Sequence, residues 1–256
     1  MIKTGLCSIT FRNMKVEEII ELAGETKLDG IEWGGDVHVR PGNIEGAVKT
    51  AQLTREAGLV TSSYGSYYRV GAKNVFSFEE VLETALHLHA PSIRVWAGEK
   101  GSANADSEYR RLVNKDAERI AFLAAEKEVE VHFEYHGNTL TDTSHSAKLL
   151  MEEVNHPNVK LYWQPAVGQN IHTRLETIHT IKPWLQHVHV FFWKNKERYP
   201  LQDGTADWRK YIEDLTSDNK ERYFILEFVK NDDPAQFIQD ANVLHHLLME
   251  CGYERN

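Results

Sequence analysis

Short apolar runs alternate with amphipathic stretches along the whole chain. Strands are predicted over Gly5–Phe11, Gly30–Trp33, Leu59–Tyr64, Ser92–Trp96, Glu130–Glu134, Val159–Gln164, Leu185–Phe192 and Tyr223–Phe228, each a compact run of apolar and β-branched residues. Between them the pattern predicts helices over Val16–Lys27, Asn43–Ala57, Ser77–Leu88, Asp106–Lys127, Thr143–Val154, Arg174–Ile181, Asp207–Leu215 and Asp233–Met249. In the first of these, Val16, Ile19, Ile20 and Ala23 recur at helical spacing. Ser77 and Glu80 form a capping box, Asp207 is the expected N-cap of the seventh helix, and Asp233-Pro234 sets an N-cap before a first-turn proline. Gly58 and the Asn155–Asn158 stretch act as stop signals.

Strict alternation of strands and helices implies a parallel sheet. Eight such units in 256 residues predict a single α/β domain, a closed (β/α)8 barrel spanning residues 1–256. A doubly wound sheet is the competitor, but neither G-x-G-x-x-G nor the P-loop pattern occurs.

In such a barrel the C-terminal ends of the strands share one mouth, where active sites sit. Four successive strands place a polar residue at or near that end: Glu134, Gln164, His189 and Glu227. Two carboxylates, an imidazole and an amide oxygen make an oxygen-rich set that suits Mn²⁺ or Mg²⁺, with Zn²⁺, Co²⁺ or Fe²⁺ as further candidates. Glu134 and Glu227 would also stand on opposite sides of a bound ligand, as proton transfer on both faces of a carbon requires. Each residue alone has a plainer reading. A strand-end glutamate can cap a loop or pair with an arginine, and His187 and His189 share one face, so one of them can be a core histidine. It is the joint occurrence on four adjacent strands that points to a site.

Glu32, His38 and His136 follow strand ends and could line the mouth. Trp33, Tyr64, Trp96 and Trp193 could form an apolar wall for a sugar ring, and Lys194, with Lys196 and Arg198, could hold a phosphate or carboxylate.

Composition narrows the function. The formal net charge of −9 argues against a large nucleic-acid footprint. No apolar run approaches the roughly 20 residues of a membrane span, and the N-terminus lacks the apolar core of a signal peptide. Two cysteines near opposite ends, Cys7 and Cys251, fit free thiols in a reducing compartment. These features predict a cytoplasmic protein acting on a small molecule, without nucleic-acid or membrane partners, and leave a homo-oligomer open.

Several stretches resemble the xylose-isomerase-like TIM-barrel superfamily of sugar phosphate isomerases and epimerases. They are Glu134–Gly137 with Thr139–Thr143, Asn158–Pro165, His187–His189, Leu226-Glu227, Gly30–Glu32 and Ile93–Gly98. The resemblance covers nearly the whole chain. It implies one divalent metal held by a Glu, an Asp, a His and a Glu on strands five to eight, which fall here on Glu134, Gln164, His189 and Glu227. It further implies that the two glutamates act as an acid/base pair through a cis-enediolate. The chain departs from the pattern at Gln164, where the family has Asp, and at Val167, where the family has a substrate-contacting His. The expected activity is that of a metal-dependent isomerase or epimerase on a carbohydrate or polyol-derived substrate. A dehydratase or lyase using the same enolate chemistry, or a carbohydrate-binding barrel without turnover, are the alternatives.

Overall fold

The computed structural model describes residues 1–253. Eight parallel strands close into a barrel: β1 (Ile2–Cys7), β2 (Gly30–Gly34), β3 (Val60–Arg69), β4 (Ser92–Trp96), β5 (Glu130–Glu134), β6 (Val159–Trp163), β7 (Leu185–Val190) and, after a small hairpin of β8 (Phe192–Lys194) and β9 (Glu197–Tyr199), β10 (Arg222–Leu226). Closure comes from β1 pairing with β10 in parallel, from Ile2 opposite Arg222 to Leu6 opposite Leu226. Outside lie α1 (Val16–Glu25), α2 (Ile44–Glu56), α3 (Phe78–His87), α4 (Ser107–Ala125), α5 (Ser144–Val154), α6 (Ile171–Ile181), α7 (Thr205–Thr216) and α8 (Pro234–Glu250). The (β/α)8 barrel predicted from alternation is the fold observed.

Helix starts follow local chemistry. Asn43, Ser77, Asp106, Thr143, Asn170 and Asp233 each accept a first-turn N–H that has no partner inside its own helix. Asp207 is not an N-cap. A 3₁₀ turn at Leu201–Gly204 feeds α7 two residues earlier, so Asp207 lies in its first turn, where the helix dipole still favours it.

Four predicted strands end early: β6 and β10 stop one and two residues short, at Trp163 and Leu226, and two others give way to different structure. β1 stops at Cys7, and Ser8–Phe11 is a 3₁₀ turn. Ser8 Oγ accepts the Gly34 N–H at 2.9 Å, and Thr10 Oγ1 accepts the Phe228 N–H at 3.1 Å, so the turn ties together the ends of three neighbouring strands. β7 stops at Val190, and Phe192 onward peels off into the hairpin. Its two-residue turn, Asn195-Lys196, has positive φ at both positions, the geometry that matches strand twist in tight hairpins.

Side-chain alternation divides the core in two. Outward-facing strand residues meet the helices; one part of this layer is the cluster of Trp163, Trp208 and Tyr211, with ring centroids 5.2–6.1 Å apart. The inward-facing residues are strongly polar. Beneath the mouth, the rings of His132, Tyr162, His187 and Tyr223 pack at 5.1–5.6 Å. His187 Nδ1 accepts the Tyr223 N–H at 3.1 Å, and burial holds its pKa well below the usual histidine value. His187 is therefore the neutral core histidine, and its neighbour one turn of alternation higher is free for the mouth.

One buried acid outside the barrel gives a stability prediction. Asp240 of α8 accepts the Leu201 N–H and the Gln236 amide, both at 2.9 Å. Burial raises its pKa from 3.8 to about 6. The folded state thus holds this proton more tightly than the unfolded chain. Its stabilising contribution is complete below the unfolded pKa and is lost as pH climbs through about 6. Asp240→Asn keeps the neutral shape and removes the titration. It is expected to be more stable than wild type at pH 7 by on the order of 2 kcal/mol, with the gap closing by pH 4. Urea midpoints at the two pH values measure this; a gap independent of pH would refute it.

Candidate active site

The C-terminal ends of β5, β6, β7 and β10 bring Glu134, Gln164, His189 and Glu227 together. His189 Nδ1 lies 3.5 Å from Glu227 Oε2 and 3.7 Å from Glu134 Oε1. Gln164 Nε2 donates to Glu134 Oε1 at 3.1 Å and to the Tyr135 carbonyl at 3.0 Å. Glu134, Gln164 and Glu227 line a cavity of about 370 Å³ with His136, Val167, Phe191, Trp193 and Phe228.

Sequence reasoning missed the residue that organises this cluster. Arg94, on β4, is buried inside the barrel and bridges two carboxylates: Nη1 donates to Glu134 Oε2, and Nε to Glu32 Oε1 at 2.9 Å. The available signal was a lone arginine within the apolar run Ile93–Trp96. Such a residue is almost never buried without partners. Gly65 makes room for it, since a Cβ there would stand 2.7 Å from Arg94 Nη2 and 3.2 Å from Glu32 Oε1. Glu32, expected at the mouth, is instead sealed beneath it, facing His189 Nε2 at 3.4 Å and accepting from the Cys7 thiol at 3.1 Å.

The two glutamates of the mouth differ in kind. Glu134 Oε2 accepts from Arg94 and from Trp96 Nε1 at 2.5 Å, while its Oε1 accepts from Gln164. Burial pushes its carboxyl up, but Arg94 and His189 outweigh that and hold it below the usual carboxylate range. Glu227 receives no such side-chain donors; its nearest charged partner is His189. Burial and the repulsion of Glu134 and Glu32 push its carboxyl above the usual range, against the pull of His189 and Arg94. His189 itself is pulled down by burial but raised well above its usual value by Glu227 and Glu32.

The donor set fits a divalent cation. Neither ring nitrogen of buried His189 completes a hydrogen bond, though carboxylate oxygens stand 3.4–3.7 Å away. Nδ1 stands 3.5 Å from a Glu227 oxygen and 3.7 Å from a Glu134 oxygen, close enough for His189 to share an ion with either carboxylate. Arg94 offsets Glu32, so Glu134 and Glu227 leave two negative charges to balance the ion. Cys7, His189 and Glu227 also offer ligand atoms mutually within 4.8 Å. The Gln164 amide nitrogen donates to Glu134 and to the Tyr135 carbonyl, so it works here as a donor that fixes Glu134.

The remaining predicted residues are dispersed. Trp33 is fully buried in the helix-facing core, because Glu32 points inward and its neighbour on the strand must point outward. Tyr64 is buried as well, and its hydroxyl donates to the Val39 carbonyl at 2.7 Å. His38 bonds Ser8 Oγ and the Met14 carbonyl, at 3.0 and 3.2 Å, and so fastens the turn after β1. Trp96 and His136 do reach the mouth, with rings 4.9 Å apart. Lys194 projects from the exposed hairpin, its ammonium over the rings of Phe192 and Tyr199, and does not line the cavity. Trp33→Ala is accordingly expected to cost about 3–5 kcal/mol of stability. Unaltered urea unfolding together with weakened ligand binding would instead place Trp33 in the site.

Comparison with known proteins agrees with this architecture. A curated 3-dehydroshikimate dehydratase of Bacillus anthracis is 27% identical over 202 residues, 73% of this chain and 70% of the relative. The crystal structure of a probable 3-DHS dehydratase from Bacillus anthracis superposes with a TM-score of 0.77 at 24% identity, covering 99% of this chain and 100% of that one. A 3-keto-D-glucoside 4-epimerase from E. coli superposes with a TM-score of 0.74 at 19% identity, covering 97% of this chain and 100% of its own. At those identities the structures speak for the fold alone. The family model described as xylose isomerase-like TIM barrel matches residues 20–247, and the chain belongs to that family.

Proposed function

We propose that the chain is a dehydratase acting on a small hydroxylated carbonyl compound, with Glu227 as its single acid/base. The observation that carries this reading is the asymmetry of the two glutamates. An epimerase working through two opposed bases needs both carboxylates free to exchange protons. Here Glu134 is committed to Arg94, Trp96 and Gln164, while Glu227 faces the cavity with no side-chain hydrogen bond, its nearest charged neighbour being His189 at 3.5 Å. One mobile base suffices for dehydration. Glu227 takes the proton α to the carbonyl, the C–H electrons move into an enolate, and the enolate re-forms the carbonyl as the β C–O bond breaks. The departing hydroxyl takes the proton back from Glu227, so one water is lost and the carboxylate is restored.

In this reading Glu134, His189 and Glu227 would hold a divalent ion. When bound, such an ion would supply Lewis-acid stabilisation of charge on the carbonyl oxygen. Arg94 keeps Glu134 ionised, and Gln164 holds its second oxygen in place. The named dehydratase relative supports a hydroxylated cyclic keto acid as the substrate class. The isomerase and epimerase expectations share the proton abstraction and differ in where the proton returns.

The test is incubation with 3-dehydroshikimate and, separately, with a 3-keto-glucoside, followed by mass spectrometry. Loss of water from the keto acid is expected. Turnover should be abolished by a chelator and restored by Mn²⁺. An epimerised keto sugar with an unchanged keto acid would overturn the dehydratase reading in favour of an epimerase.

A further inference from the structure

We propose that a second cavity at the mouth is an anion subsite that receives a carboxylate or phosphate group. It measures about 350 Å³ and lies among the loops after β2 and β3, where Arg40, Arg69 and Lys73 contribute to its wall with Tyr67, Asn74 and Phe76. None of these three cations has a carboxylate partner among the described residues. Nearby Arg12, Arg94 and Arg119 are all paired. The one carboxylate on the wall, Asp36, is taken by Arg12 at 2.5 Å. A chain of net charge −9 thus leaves three cations uncompensated around a single concavity. An anion entering the concavity meets cations with no competing carboxylate, and concave walls strengthen the attraction.

Arg69 is the fixed point of the pocket. Its guanidinium lies 4.1 Å from the Trp96 ring centroid and donates to the Gly98 carbonyl at 3.3 Å. Its backbone is clamped by Asn74, which accepts from the Arg69 N–H at 2.8 Å and donates to its carbonyl at 2.9 Å. The other guanidinium N–H groups remain available for the forked contact that carboxylates and phosphates take from arginine. Tyr67, on the same wall, is held at φ +60°, a costly conformation for a residue with a side chain, and its hydroxyl accepts from Arg12 at 3.1 Å. Such strain tends to mark ligand clamps.

The pocket adjoins the reacting groups through Trp96, which carries Arg69 over its ring and donates to Glu134. The subsite would hold the anionic arm of the substrate proposed above and in that sense rests on that reading. Its test does not depend on turnover. Titration calorimetry of the full chain at low salt, with inorganic phosphate and separately with malonate, is expected to show one binding site. The tighter of the two anions identifies the chemical class. Arg40→Ala/Lys73→Ala should weaken binding at least tenfold. Lys194→Ala/Lys196→Ala, which removes the same charge from the hairpin, should leave it unchanged, as should Glu227→Gln. Absence of binding by either anion would overturn the proposal, as would equal weakening in the two double variants. Should anion binding behave as expected while the dehydration assay fails, the subsite stands and only the reaction is revised.

Discussion

Glu227→Gln is expected to lower kcat by at least ~10²-fold, and by up to ~10⁴-fold if proton abstraction limits turnover. The amide keeps the size of the side chain and can still face His189, but it cannot accept a proton. The same variant should cease to exchange the substrate α-hydrogen with D₂O, which is read by NMR without any need for net turnover. Glu134→Gln is expected to behave differently. It removes the partner of Arg94 and Trp96, so it should alter metal affinity and stability as well as rate. If Glu227→Gln exchanges deuterium at the wild-type rate while Glu134→Gln does not, the roles assigned to the two glutamates are reversed.

Arg94→Leu is expected to cost about 3–5 kcal/mol of folding stability, the usual penalty for removing one partner of a buried ion pair. Arg94 bridges Glu32 and Glu134 in a site with almost no solvent, so the variant leaves two buried carboxylates without their cation. Arg94→Lys should recover little of this, because an ammonium cannot reproduce one guanidinium edge on Glu32 and the other on Glu134. The triple variant Arg94→Leu, Glu32→Gln, Glu134→Gln removes all three charges and should regain much of the loss while remaining inactive. Urea midpoints decide the matter. A single Arg94→Leu variant within 1 kcal/mol of wild type, on the order of a surface substitution, would mean that the cluster is not energetically coupled.

What the sequence determined by itself was the order of elements and the identity of the four strand-end groups. Both depend on local periodicity. Apolar spacing distinguishes helix from strand, and alternation along a parallel strand assigns each residue to the inside or the outside of a barrel once closure is assumed. The pairing of Ser77 with Glu80 and the Asp233 cap were legible for the same reason, since all partners lie within four residues. Tertiary structure decided the rest. Glu32 and Trp33 are neighbours in sequence, yet one is part of the charge cluster and the other is core, and only the phase of β2 against its neighbours fixes which. Where β1 and β7 stop depends on pairing partners and on the turn at Ser8–Phe11, which meets Gly34 and Phe228 from distant parts of the chain. The unequal state of Glu134 and Glu227 rests on Arg94, forty residues before the first of them and connected to it only through the barrel interior. Burial and charge pairing are long-range properties, and a pattern read along the chain carries the residues that will pair but not which of them will meet.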